Sequence, residues 1–409
     1  MLNKTTKKIR RALEEGGVRL VIYRTAKNGF RTIFGNVGQP NYKSLVHKDD
    51  LFKVDWVKNP YTPVPLNKIE YSTAWVMSPP GKGSGGHLSI FRFLQALESA
   101  GHKIDIFLYS TQGEKDINVC RNIINNFFPK VNANIKFLED SDKEKEYDAV
   151  FATGWETAYP VYLFRKSSQK FYFVQDYEPS FYATGSDSVL AENTYKFGFF
   201  GITAGAWLST KLKSQFGMNS DFFTFGIDHD IYKLTNPNPR KDVFFYARPS
   251  TPRRAFELGI LALEELSARN LGINIHLAGW DVSDRNITFK HQSYGIISPN
   301  ELSNIYNKCA VGLVLSLTNM SLLPPELIAC GTIPVINVGD NNKMVFDNKF
   351  CRWSEAMPSQ IADALENAIE ESASNRLPTI ISASVKNLNW ETSKEKFLRI
   401  FEGQMKNPK

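Results

Sequence analysis

Three short stretches combine residue types and spacings that could do chemistry. The first is LTNMSLLPPELIACGTIPV, residues 317–335. It follows a strand-like run, Val311 to Ser316, and leads through a polar turn into two prolines, one glutamate and a short apolar segment ending at Gly331. Pro324 and Pro325 suit a first helical turn, where the missing N–H has no partner to lose. Glu326 then falls in that turn, where the helix dipole favours a carboxylate. A carboxylate there could take two hydroxyls of a ribose. The amides of Ser321 and Leu322, in the preceding turn, could hold a phosphate. The competing reading is a plain first-turn carboxylate with no ligand.

The second stretch is FYARPSTPRRAFELG, residues 245–259. Arg248 ends a strand, and Arg253 and Arg254 open the predicted helix. A positive charge at a helix start opposes the dipole, so its cost calls for an anion. A diphosphate would supply one, with charge-assisted contacts of about 1.5–3 kcal/mol each. Surface arginines paired with Glu257 are the alternative. The third stretch is MSPPGKGSGGH, residues 77–87. Its glycines permit close backbone approach, and the helix start that follows offers free amides to an anion. It lacks the Gly-Lys-Ser/Thr ending of a P-loop and the spacing of a dinucleotide fingerprint. It reads as a sugar- or phosphate-facing loop with Gly85 and Gly86 at the cleft, or as a plain flexible turn. His87 suits a cap or packing position as well as the cleft. Asp176, in VQDYEP, could orient or deprotonate an acceptor hydroxyl, or cap its own loop.

These residues need elements to hold them. From residue 71 the sequence alternates strand, loop and helix: YSTAWVM, the glycine loop, HLSIFRFLQALESA, IDIFLY, and then YDAVFAT, KFYFVQ and FGITAG. The stretch KLTNPNPRK, residues 233–241, reads as a linker. A second series follows with DVFFYA, INIHLAG, VGLVLS and IPVIN as strands. Strands alternating with helices mean parallel βαβ units in open, doubly wound sheets. The fold class is therefore α/β, with two Rossmann-like lobes facing a cleft. The expected boundaries are 1–70 for a basic arm and irregular lead-in, 71–235 for the N-terminal lobe, 236–385 for the C-terminal lobe, and 386–409 for a closing helix. In such sheets ligands bind beyond the carboxyl ends of the strands, where all three stretches lie.

Composition narrows the class further. The chain has 409 residues, 42% hydrophobic and 13% aromatic, enough for two cores. No apolar run reaches the length of a membrane span. Cys120, Cys309, Cys330 and Cys351 lie in or beside apolar sequence without CxxC spacing, which points to reduced, buried thiols and a cytoplasmic setting. Net charge is +7, and residues 1–31 hold nine Lys or Arg against Glu14 and Glu15. That segment reads as a solvated arm or as a tether to an anionic membrane surface. No aromatic-interleaved basic platform points to nucleic acid.

Taken together, the motifs resemble family 4 glycosyltransferases of the GT-B fold. PPELIACGTIPV resembles the donor-site helix of that family. YARPSTPRR resembles its Gly-Arg…Lys motif, with Arg253 in place of the lysine. FGIDHDIYK, residues 225–233, resembles the interdomain motif, so its two aspartates are not read as a metal pair. AGW and SYGIIS fall in family order, and place Tyr294 and Gly295 at the base edge. The resemblance implies that Arg248 and Arg253 neutralise a diphosphate, that configuration at the sugar is retained, and that no metal or other cofactor is required. The family's first glutamate, eight residues before Glu326, is Thr318 here, a change in the sugar-binding wall. With FVQDYEPSFYATGS, this most resembles WsaF-type bacterial rhamnosyltransferases. The donor implied is dTDP-β-L-rhamnose, and the acceptor a growing surface glycan, free or lipid-linked. A homodimer is compatible with this reading. Other nucleotide-sugar hexosyltransferases, a GT-B epimerase or phosphorylase, and a catalytically silent GT-B module remain as alternatives.

Overall fold

The computed structural model describes residues 44–320 and 322–409. The basic stretch of residues 1–31 lies outside the described residues, as does Ser321. Among the described residues, thirteen strands form two sheets. The N-terminal sheet contains β1 (Ser72–Met77), β2 (Lys103–Leu108), β3 (Asn134–Phe137), β4 (Tyr147–Ala152), β5 (Ser167–Val174), β6 (Phe200–Ala204) and β7 (Ser220–Phe223), in the order β3-β2-β1-β4-β5-β6-β7. The C-terminal sheet contains β8 (Asp242–Tyr246), β9 (Ile275–Ala278), β10 (Gln292–Ser293), β11 (Cys309–Val314), β12 (Ile333–Asn337) and β13 (Arg352–Ser354), in the order β10-β9-β8-β11-β12-β13. Neighbours such as β1 and β4, or β8 and β11, run parallel. Strands covered on both faces need near-continuous apolar sequence. The wholly buried runs YDAVFA of β4 and CAVGLV of β11 meet that need.

The N-terminal core is built from rings. Trp75 of β1 pairs in register with Phe151 of β4, which pairs with Phe171 of β5. Shared register puts the three side chains on one face, one beside the next. Trp75 and Phe151 stack at 4.0 Å, and Phe151 and Phe171 at 4.7 Å. Two helices close over this lobe. The helix α1 (Gly85–Ser99) follows β1 and brings Phe93 inward. The helix Trp390–Lys406, far along the chain, places Phe397 at 4.8 Å from Phe93, and Phe401 at 5.4 Å from Phe171. Residues 46–70 belong to the same compact unit as everything up to Lys409. Val64 donates its amide to the Ser168 carbonyl, and Leu66 to that of Met405. That part of the stretch grouped with the arm is thus packed lobe, not lead-in.

The C-terminal lobe mixes aliphatic side chains with rings such as Phe244, Phe245 and Tyr306. Val243, Val311, Leu313 and Val335 fill the sheet, covered by Leu263 and Leu365 from the helices Phe256–Ala268 and Pro358–Glu371. All four cysteines are free and buried.

Candidate active site

In each sheet the winding reverses at one place, which opens a crevice beyond the carboxyl ends of two strands. In the N-terminal sheet it lies between β1 and β4, and in the C-terminal sheet between β8 and β11. The loops that leave β8 and β11 carry two of the stretches picked out by sequence, residues 245–259 and 317–335.

The loop after β8 differs from expectation at one point. Arg253 and Arg254 were expected to open a helix. They sit instead on a separate 3-10 turn, Pro252–Arg254, and the helix starts at Phe256. Ala255, between the two, has φ of 46°, a left-handed conformation that breaks the helical path. No unfavourable encounter with the helix dipole therefore needs an anion to offset it. Among the described residues neither Arg253 nor Arg254 forms an ion pair with Glu257: Arg253 Nε lies 3.0 Å from Asp176 of the other lobe. Its guanidinium rests on the Phe181 ring at 4.1 Å. Arg254 turns inward, donating to Ser316 Oγ at 2.6 Å and to the Asn319 carbonyl at 3.1 Å. Burial holds the Arg254 guanidinium below the ordinary arginine range; Asp176 opposes that shift, while Arg253 and Arg248 add to it. Arg248 is half-buried and donates to Tyr246 Oη at 3.3 Å. Three arginines thus converge beside one carboxylate, which leaves a local excess of positive charge.

The loop after β11 is held by amides. Ser316 donates its N–H to Asn337 Oδ1 at 2.7 Å, and its carbonyl accepts from Asn337, Asn341 and Asn342. The Thr318 carbonyl accepts from Asn341. Thr318 is buried, and its Oγ1 has no partner among the described residues; the same is true of Asn319 Oδ1. Buried polar atoms of this kind are rare enough to be notable. Asn319 reaches across the cleft. Its Nδ2 donates to the carbonyls of Gln175 and Ala204 at 2.9 and 2.8 Å, and its N–H donates to Asp176 Oδ1 at 2.8 Å.

Glu326 stands in the first turns of the helix Leu323–Ala329, as expected, with Leu322 at the cap position. The helix can press onto β11 because Gly312 has no side chain: a Cβ there would lie 2.6 Å from Leu327 Cδ1. Burial pushes the Glu326 carboxyl up to about 8, helped by the nearby Asp228 charge and opposed by Arg92 and a Tyr232 hydrogen bond. Asp228 and Arg92 form a two-pronged ion pair, with one arm at 3.0 Å. Arg92 also covers the Trp390 ring at 4.3 Å. Glu326 therefore sits where the C-terminal lobe, the interlobe segment and α1 meet.

On the N-terminal side, Gly85 and Gly86 are exposed at the start of α1. Gly86 adjoins the Asp176 loop, since Gln175 Nε2 donates to its carbonyl at 3.1 Å. His87 is otherwise occupied: Nδ1 lies 2.8 Å from Ser84 Oγ, and Nε2 lies 3.0 Å from the Ser78 carbonyl. Both ring nitrogens serve the loop, so the imidazole is a packing and capping group. Asp176 is buried at the cleft, but neither oxygen is idle. Oδ1 accepts from Asn319 and Tyr177, and Oδ2 pairs with Arg253. Tyr294 departs from expectation as well. Its hydroxyl bonds His276 at 2.9 Å, and His276 in turn contacts Asp242, the first residue of β8 and so at the end opposite Arg248. The ring therefore points away from the crevice, although Gly295 stays beside the β9 end, where its carbonyl accepts from Gly279. Sequence reasoning missed Asn319, the Asn337–Asn342 group and the inward role of Arg254. The asparagines TN and DNN followed strands VGLVLS and IPVIN, a position that could have marked them.

Comparisons with known proteins agree with this geometry. Residues 241–366, the lobe holding the arginines and Glu326, match the family described as WsaF, C-terminal domain. Over 81% of this chain and 98% of theirs, the coordinates superpose on sucrose-phosphate synthase from Thermosynechococcus elongatus, with TM-score 0.64 and 13% identity. The chain is a GT-B protein that resembles WsaF. HepE from Anabaena, solved in complex with UDP and glucose, matches with TM-score 0.61 and 12% identity over 81% of this chain and 100% of that one. The O-antigen biosynthesis protein RfbC of Myxococcus xanthus is 33% identical over 262 residues. That match takes in 62% of this chain and 20% of RfbC, so the chain spans about a fifth of that relative's length.

Proposed function

We propose that this chain is a glycosyltransferase that builds a surface glycan from a nucleoside diphosphate sugar. The observation that carries the reading is the convergence of Arg248, Arg253 and Arg254 in the loop after β8, with Glu326 in the helix that follows β11, the two strands that flank the crevice of the C-terminal sheet. The arginines would neutralise the diphosphate, including the charge that grows on it as it departs. Glu326 would hold the ribose. The bond from sugar carbon to diphosphate oxygen breaks, a bond to the acceptor oxygen forms, and the acceptor's proton passes to the leaving diphosphate. The match to RfbC supports an O-antigen type of glycan as product.

For the donor we propose dTDP-β-L-rhamnose, transferred with retention and without a metal. The WsaF match supports this choice. So does Thr318, a small residue where the resemblance leads one to expect a glutamate. The HepE complex with UDP and glucose favours the second reading, a UDP-hexose donor. Calorimetric titration with dTDP, dTDP-rhamnose, UDP-glucose and GDP-mannose separates them. Selective binding of the dTDP compounds is expected; preference for UDP-glucose would replace the donor, and binding of none would remove the transferase reading. Transfer should persist in EDTA. The basic sequence at residues 1–31 supports contact with an anionic membrane, where a lipid-linked acceptor would be held; co-sedimentation with anionic vesicles tests this.

A further inference from the structure

Asp176 belongs by sequence and topology to the acceptor lobe, since it follows β5. Its partners do not. Two of its three hydrogen-bond donors, Asn319 N–H at 2.8 Å and Arg253 Nε at 3.0 Å, come from the donor lobe, and they occupy different oxygens. Both of its oxygens are thus taken up, Oδ1 by Asn319 and Tyr177 and Oδ2 by Arg253. The arrangement is worth more to Arg253. A free arginine side chain has rotamer entropy that a bound ligand must otherwise remove. Here Nε is fixed by Asp176 and one face of the guanidinium by Phe181. Neither Nη nitrogen bonds another described residue, so that edge is left for an anion. Asn319 reinforces the arrangement by fastening the β11 loop to the carbonyls of Gln175 and Ala204.

We infer that Asp176 is a positioning residue of the donor site: from the opposite lobe, and together with Asn319, it locks Arg253 and the β11 loop in place for the diphosphate. The acceptor lobe thereby supplies part of the donor affinity, and the diphosphate site is complete only when the lobes are together. Preorganised groups bind more tightly because their ordering is already done. This inference rests on the transferase reading above.

The test is nucleotide diphosphate binding by the full chain with no acceptor present. Calorimetry on wild type, Asp176→Asn and Asn319→Ala uses whichever of dTDP, UDP or GDP the wild type binds. Asp176→Asn is expected to weaken binding at least tenfold, and to raise the donor KM similarly while kcat at saturating donor stays within about threefold. Unchanged affinity and KM with a collapsed kcat would overturn the inference and make Asp176 a base. Should Asp176→Asn fail to fold, Asn319→Ala decides. It removes only the bonds to Gln175 and Ala204, and a several-fold loss of affinity is expected; none would overturn the inference. A wild type that binds no nucleotide diphosphate overturns the transferase reading, and this inference with it.

Discussion

The two lobes share one winding but are built and finished differently. The N-terminal core is a run of stacked rings across β1, β4 and β5, capped by Phe397 and Phe401. The C-terminal core sets rings such as Phe244, Phe245 and Tyr306 among branched aliphatic chains. At the carboxyl ends the contrast sharpens. The C-terminal side is tied down by amides from Asn337, Asn341 and Asn342. The N-terminal side presents exposed glycines at residues 81, 83, 85 and 86. The lobes thus differ both in the side chains their sheets carry and in the residues that finish their strand ends.

The largest expected effect breaks the contrast between the cores. Phe151→Ala, in the middle of the ring stack, should cost about 3–5 kcal/mol, against about 2–5 for Leu313→Ala in the other lobe. Denaturant unfolding followed by tryptophan fluorescence reads both, and a loss at Phe151 below that at Leu313 would deny the ring stack its special weight. Next comes Arg253→Ala. Losing roughly 3 kcal/mol of charge-assisted contact should weaken nucleotide diphosphate binding on the order of a hundredfold. Calorimetry that found full affinity would remove Arg253 from the diphosphate site.

Glu326 gives a pH signature of about tenfold. Its carboxyl is raised from 4.5 to about 8. Because the folded value lies above the unfolded one, the stability this group contributes is complete below about pH 4.5 and is lost as the pH climbs to about 8. Glu326→Gln should therefore match the native protein in melting temperature near pH 4 and exceed it at pH 8–9. If the ionised carboxylate accepts both ribose hydroxyls, nucleotide affinity should also rise from pH 7 to 9, and the Gln variant should be flat. A flat native profile would sever Glu326 from the ribose. The smallest effect is Gly86→Ala. A Cβ would meet Gln175 Nε2 at 3.4 Å, an ordinary contact. Stability should change by under about 1 kcal/mol and nucleotide binding should hold, while transfer to the acceptor falls. Unchanged acceptor kinetics would take the glycine loop out of the acceptor surface.

The parts legible in sequence were those with local causes. Alternating apolar runs and turn residues marked the strands, and Pro324–Pro325 with Gly331 marked the short helix. Glu326 and the arginines followed from chemistry at strand ends. What escaped was decided by contacts far apart in the chain. Asn319 and Asp176 are 143 positions apart and meet only because the lobes face each other. Tyr294 looked available in sequence, but its hydroxyl is claimed by His276. The start at Arg253 was misread because Ala255, a good helix former, adopts a left-handed conformation that breaks the helical path.

The helix Trp390–Lys406 also sets an order of events. Its rings complete the N-terminal core, yet they lie roughly 170 residues beyond Phe223 of β7. At about 5–20 residues per second of synthesis, the N-terminal lobe waits on the order of ten to thirty seconds with Phe93 and Phe171 uncovered. The C-terminal lobe, translated later, has its own rings and chains in hand first. On the ribosome, the half of the molecule made first is finished last, and that interval is when a chaperone would find it.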